Sequence, residues 1–291
     1  SCHGAMEDWR PLDETDAAND LPPWQVMTPT AEISPPRPIP HKEMDQADIN
    51  QVINDFRAAT KLSIDAGYEI AEIHGAHGYL IHQFLSSTSN QRQDSYGGSL
   101  ENRMRFAIEV ASAVRDLWPK QHPVFFRLSA VDSQGGSWTL NEAVALAKAL
   151  RDVGIDMIDV SSGGISGLSN MPMVPRIPAY QASFSGRIRR QANVGTIAVG
   201  GITEAQQAED ILQSGDSDMI AMARELMWNS DWPAHAAYVL GLDDPYSYLP
   251  DGYAHRLRQR EEQKKMKINQ DEALIEKSLR YFMDDEAPSS Q

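Results

Sequence analysis

Three glycines constrain this chain more than any other feature, because each stops a helical run just before an apolar one: Ala66-Gly67-Tyr68, Val153-Gly154-Ile155 and Ser214-Gly215-Asp216. Glycine past a helix end takes the left-handed conformation that closes the last turn. An amphipathic helix is expected over 45–66, where Ile49, Val52, Ile53, Phe56 and Ala59 recur at helical spacing. Beyond it, short apolar strands are expected at 68–73, 124–128, 157–161, 195–199 and 219–223, separated by helices at 100–117, 140–153, 184–191 and 204–214. The strands are nearly continuous apolar runs, as in parallel sheets buried on both faces by βα repetition.

Polar or glycine-rich residues crowd the C-terminal ends of these strands. His74 follows the first, Arg127 closes Val-Phe-Phe, Ser161-Ser162-Gly163-Gly164 ends the third, Gly200-Gly201 the fourth and Arg224 the fifth. A (β/α)8 barrel builds its site at that face all the way round, whereas an open doubly wound sheet does so at a switch point. The pattern favours the barrel, although five strands are legible where a barrel has eight.

Composition excludes several function classes. Lys and Arg total 26 against 41 Asp and Glu in 291 residues, a formal net charge of −15, which is the wrong sign for a nucleic-acid face. No run of apolar residues is long enough for a membrane helix, and no basic-then-apolar signal pattern opens the sequence. The single cysteine, Cys2, rules out an internal disulfide and points to the cytosol. Residues 1–44 are expected to be an irregular lead-in, since eight of the 17 prolines fall there. Residues 45–240 are expected to carry the partial barrel, and 241–291 a charged helical tail. In that tail Arg256, Arg258, Arg260, Lys264, Lys265 and Lys267 form a basic patch, read as a solvated helix face, or as an oligomer contact or an arm reaching a neighbour's anionic ligand. The chain opens Ser1-Cys2-His3-Gly4 without an initiator Met and is read as processed or as part of a longer one.

The densest chemical signal is Glu72-Ile73-His74-Gly75-Ala76-His77-Gly78-Tyr79. Two imidazoles and a phenol at the mouth of a barrel can donate hydrogen bonds to a substrate oxygen and supply a proton. A metal pair or packed core histidines are the other readings, and the neighbouring strand ends offer no third metal ligand. Arg127, at the end of an apolar strand, needs an anionic or electron-rich partner: a flavin, a phosphate or a barrel carboxylate. Gly200-Gly201 and Ala223-Arg224 end the last two strands, where such barrels commonly cradle phosphate. No Gly-x-Gly-x-x-Gly motif follows a strand, which argues against a Rossmann site. The polar segment from Asn90 to Ser99 is read as a rigid rim loop ending in a helix cap at Ser99.

These segments resemble the old yellow enzyme family of FMN-dependent ene reductases on a (β/α)8 TIM barrel. The resemblance rests on Glu72-Ile-His-Gly-Ala-His-Gly-Tyr-Leu80, Gln83-Phe-Leu85, Asn90-x-Arg92-x-Asp94-x-Tyr-Gly-Gly-Ser99, Glu101-Asn-Arg103, Phe126-Arg-Leu-Ser129, Asp159-Val-Ser-Ser-Gly163 and Ala223-Arg224-Glu-Leu. The His-x-x-His form is similar to the thermophilic-like subclass. The resemblance implies that NADPH or NADH reduces FMN, whose N5 then gives hydride to an activated alkene. It implies that His74 and His77 hold the carbonyl or nitro oxygen and that Tyr79 donates the proton. Arg127 would lie beside the flavin, with Gly200, Gly201, Ala223 and Arg224 at its phosphate; Ala223 departs from the family's usual glycine. It implies a homo-oligomer in which a C-terminal arginine, with Arg256 as the candidate, reaches the neighbouring site. It also implies an incomplete barrel with strands four to eight present and one to three missing. The alternatives are a cofactor-free or non-catalytic remnant of the family, or another FMN- or phosphate-binding barrel oxidoreductase.

Overall fold

The computed structural model describes residues 6–7, 10–11, 14–19, 26–31, 41–265 and 279. Cys2, Lys267 and six lead-in prolines (Pro22, Pro23, Pro35, Pro36, Pro38 and Pro40) lie outside them. Two compact units are present: residues 1–203 with 207–223, and residues 204–206 with 224–291.

The proline-rich lead-in contains two short ladders and a single helical turn. Strands β1 (Met6–Glu7) and β2 (Arg10–Pro11) pair antiparallel, α1 covers Glu14–Ala17, and β3 (Val26–Thr28) pairs in parallel with β4 (His41–Glu43). The second ladder is tied down by Arg92, a buried cation whose Nη1 donates to Pro29 O at 2.7 Å and to Met44 O at 2.6 Å. Asn90, also buried, donates to Phe84 O and Tyr96 O, and Asp94 braces Arg92 through an ion pair of 2.5 Å. The Asn90 to Ser99 segment is therefore a rigid bracket, and Ser99 caps the next helix by accepting from the Asn102 amide.

Helix α2 (Gln46–Asp65) begins at a reciprocal capping box between Asp45 and Asp48 and ends at Gly67, which has φ of 82°. The alternation then runs β5 (Ala71–Gly75), α3 (Leu80–Leu85), α4 (Leu100–Arg115), β6 (Val124–Ser129), α5 (Leu140–Asp152), β7 (Met157–Ser161), α6 (Ala182–Ala192), β8 (Gly195–Val199), α7 (Ala205–Gln213) and β9 (Met219–Ala221). Strand β5 starts three residues later than its apolar run suggests. The amides of Gly67 and Tyr68 still close the end of α2, on Ile64 O and Ser63 O, so Tyr68 to Ile70 belong to the exit from the helix. Strand β9 is shorter than expected, and α3 was not anticipated.

Strands β5 to β9 form one parallel sheet in strictly sequential order. A doubly wound sheet must reverse its order somewhere; this one never does, so among the described residues it is an arc of a singly wound (β/α)8 barrel. Period-two alternation sorts its side chains. Ile73, Val124, Phe126, Leu128, Ile158 and Val160 face outward and pack with Ile49, Phe106, Val110, Leu146, Leu150 and Ile188 of the helices in one continuous core. The other face carries the polar residues, and the register places His74, Arg127, Asp159, Ile197 and Met219 on adjacent strands in one row.

The second unit contains α8 (Arg224–Trp228), α9 (Trp232–Val239), a 3-10 turn (Pro245–Tyr248) and α10 (Asp251–Lys265). Arg258 grips Asp244 through two donors, and the rings of Tyr238 and Tyr246 lie 6.5 Å apart. Arg256 is exposed on α10 and bonds Gln259 within the same helix. No helix among the described residues is long and apolar enough to cross a membrane.

Leu150 has no exposed surface and sits in the helix–sheet core. Leu150→Ala is expected to lower unfolding free energy by about 2–5 kcal/mol in denaturant titrations, through lost transfer energy and the cavity left behind.

Candidate active site

The structure brings the three residues of the densest motif together at the C-terminal end of β5. His74 lies within the strand, and His77 and Tyr79 lie in the turn that follows. The His74 ring is 5.2 Å from that of His77 and 5.3 Å from that of Tyr79, centroid to centroid. His77 is one of the non-glycine residues with positive φ, at 59°, a conformation that turns the chain sharply enough to set its imidazole beside that of His74. Tyr79 stands at the N-cap of α3.

This turn is pinned by a backbone crossing. A Cβ on Gly78, whose φ is 76°, would lie 2.4 Å from Gly164 O, and a Cβ on Gly164 would lie 2.2 Å from the His77 carbonyl carbon. The glycines of Ser161-Ser-Gly-Gly164 thus let the loop after β7 touch the histidine turn. Ser129 Oγ joins the same two segments, accepting from the His77 amide at 3.1 Å and donating to Gly163 O at 2.8 Å.

Arg127 lies on β6, in register with His74. Its Nε and Nη2 donate to Ser161 Oγ at 3.1 and 2.8 Å, and Nε lies 3.4 Å from Asp159 Oδ2. The barrel-carboxylate reading of this arginine is thus realised in part. Among the described residues Nη1 donates to nothing, and Asp159 Oδ1 is buried without a hydrogen bond. Burial pushes the Asp159 carboxyl up to about 6 against the pull of Arg127, with the charge of Glu72 adding to the rise. Burial raises Glu72 as well, with Arg127 opposing it.

The histidines move the other way. Burial, then repulsion from Arg127, His74 and His82, takes His77 down to about 4. His74 is lowered by burial, then by Arg127 and His82. Both rings are therefore neutral near pH 7, and each offers one N–H and one lone pair.

Gly200 and Gly201 follow β8 with φ of 108° and 67°, and Gln181 Nε2 donates to Val199 O at 2.6 Å just before them. Ala223 ends the first compact unit and Arg224 opens α8 of the second. Among the described residues no group of three or more His, Cys, Asp or Glu side chains is arranged to hold a metal ion. The sequence motifs carry Ser129 and Asp159 without a site role and Gly164 only as part of the glycine-rich end of its strand, and His82 is not singled out; a polar residue inside an otherwise apolar run is the signal for Ser129, Asp159 and His82.

The parallel barrel arc thus presents a histidine pair, a tyrosine and an arginine together at the C-terminal ends of its strands. The model of the NADH:flavin oxidoreductase / NADH oxidase family matches residues 8–243, and the chain belongs to that family, the old yellow enzyme family of the motifs above. It is 48% identical over 201 residues to an NADPH dehydrogenase of Geobacillus sp. strain WCH70, covering 69% of this chain and 57% of the relative. To the NADPH dehydrogenase of Clostridium acetobutylicum it is 44% identical over 210 residues, covering 71% and 60%. The chain thus spans about three-fifths of these relatives. Its fold matches 2-naphthoyl-CoA reductase with a TM-score of 0.62 at 27% identity, over 70% of this chain and 31% of that one. The old yellow enzyme homologue from Zymomonas mobilis matches with a TM-score of 0.60 at 24% identity, over 79% and 67%, a likeness of fold alone.

The opposite shifts of His77 and Asp159 set opposite pH dependences. Between pH 6.5 and about 4 the unfolded chain binds the His77 proton and the native chain does not, so the contribution of His77 to stability falls as pH falls. Between about 3.8 and 6 the native chain holds the Asp159 proton that the unfolded chain has lost, so the contribution of Asp159 falls as pH rises. Relative to wild type, His77→Asn should therefore gain stability as pH drops through 6.5 to 4, and Asp159→Asn should gain as pH rises through 4 to 6. Urea midpoints measured across pH 4–7 check both signs.

Proposed function

We propose that this chain carries the substrate-activating and proton-donating side of an FMN-dependent, NAD(P)H-driven reductase of alkenes conjugated to a carbonyl or nitro group. The observation that carries this reading is the convergence of two neutral imidazoles and one phenol beside a permanent cation at the barrel mouth.

The residues present fit one side of a flavin mononucleotide. Arg127 has an Nη1 donor to spare for the electron-rich pyrimidine edge, and Gly200 and Gly201 offer close backbone approach at a phosphate end. When bound, FMN supplies hydride to the carbon β to the activating group. The chain's own residues do the rest. His74 and His77 donate N–H bonds to the substrate oxygen and withdraw electron density from the double bond; being neutral, they bring no full charge to be desolvated. Tyr79 O–H gives its proton to the α-carbon. Burial, helped by the positive field of Arg127, keeps the imidazoles unprotonated, and that field favours developing negative charge nearby. NADPH as reductant is supported by the relatives' names, and a cytosolic, homo-oligomeric enzyme completes the reading.

A second reading is a member of the family that retains the site without the cofactor. The two are separated by flavin absorbance of the purified chain, which the first expects at one equivalent and the second expects to be missing. In flavin-loaded protein, Tyr79→Phe should slow reduction of a cyclic enone by about 10²–10⁴-fold while flavin reduction by NADPH keeps its rate. An unchanged enone rate removes Tyr79 as proton donor.

A further inference from the structure

The strained His77 turn is held by a buried pair that the proposed chemistry does not use. His82 lies in the first turn of α3, and neither its side chain nor that of Asp132, in the loop after β6, has any exposed surface. The Gly78 amide, next to His77 in the chain, donates to His82 Nδ1 at 2.9 Å. A nitrogen that accepts an N–H carries no proton, so the ring is neutral with its proton on Nε2. Nε2 lies 2.9 Å from Asp132 Oδ1, and neither atom has another partner among the described residues. The second oxygen of Asp132 is anchored firmly: Oδ2 accepts from Ser86 Oγ at 2.6 Å and from the Ser137 and Trp138 amides, both at 2.9 Å. Burial raises the Asp132 carboxyl, but His82 foremost, then the bonds from Ser86 and the Trp138 amide, outweigh burial and leave it below the ordinary carboxylate value.

The result is a directed chain from the loop after β6, through α3, to the peptide that orients His77. A histidine that merely filled space in the core would not need its lone pair aimed at one amide, nor a buried carboxylate to fix its tautomer. Positive φ at a non-glycine residue is strained and persists only where the surroundings over-determine it. Here the amides on both sides of the His77 Cα are fixed, one by Ser129 and one by His82.

We propose that the buried His82–Asp132 pair is a positioning device: it locks the His77–Gly78 peptide and so sets the direction in which His77 presents its imidazole to a substrate oxygen. The inference rests on the proposed function for what His77 binds, whereas the locking of the turn is a property of this chain alone.

The test begins with 15N-labelled full-length chain, which should show a scalar coupling across the hydrogen bond between the Gly78 nitrogen and His82 Nδ1, with the His82 proton on Nε2. Two substitutions then separate positioning from packing. His82→Asn places an acceptor near the position of Nδ1; His82→Gln places its amide near Nε2 and leaves the Gly78 amide without a partner. The expected result is that His82→Gln shifts the His77 ring resonances and raises KM for a cyclic enone about tenfold, the factor that one buried hydrogen bond corresponds to, with a smaller change in kcat. His82→Asn should bring both readouts back towards wild type. Asp132→Asn, which retains the shape but not the charge, should shift the Gly78 amide resonance by releasing the tautomer. The proposal is overturned by a proton on Nδ1, by a missing coupling, or by variants that lose thermal stability to the same degree with His77 resonances unmoved. If wild type does not reduce the enone at all, the proposed function fails, and the resonance measurements still decide the positioning role.

Discussion

Everything at this site depends on the alternation of side chains across a parallel sheet whose outer face is sealed by helices. Once Ile73, Phe126, Leu128, Ile158 and Val160 are committed to the helix-facing core, Glu72, His74, Arg127 and Asp159 have nowhere to go but the inner face. The apolar half of each strand thus places the polar half. Parallel register then sets His74, Arg127 and Asp159 side by side, although they are far apart in sequence.

That crowding decides the charge states. The groups around Arg127 adjust to its charge: the imidazoles stay neutral because burial and the guanidinium both oppose a second cation. Asp159 is caught between burial and Arg127, and its shift upward shows that the guanidinium, shared with Ser161, compensates the desolvation only in part. An inner row with one fixed positive charge and several groups near neutrality is a setting in which small changes of bound charge move protons.

The repeating architecture was legible because glycine punctuation and apolar runs are local signals: Gly67, Gly154 and Gly215 all adopt the positive φ that ends a helix. Strand ends were less so. The exit of α2 consumes Tyr68 to Ile70, which by residue type alone read as strand. The histidine–tyrosine cluster was legible because its members lie within six residues of one another. The residues that hold it were not. His82 sits in the apolar run Leu80-Ile-His-Gln-Phe-Leu85, Asp132 in a loop and Gly164 after another strand, and their partnership exists only once three βα units have folded together. Short-range pattern reports what a segment is; it does not report which distant backbone will press against it.

The contact between Gly78 and Gly164 ties two loops at a single point where neither chain has room for a side chain. From Ile165 onward the second loop is held by the loop after β6 instead, through a second glycine crossing between Gly135 and Gly167 and the Ser133 and Gly135 amides on Ile165 O and Met171 O, and it carries Leu168, Met173 and Ile177 largely in solvent. The rim is therefore built on backbone seams, and what a molecule meets past the second glycine pair is set by the exposed side chains that those seams hold out, while the chemistry beneath keeps its aim from the first.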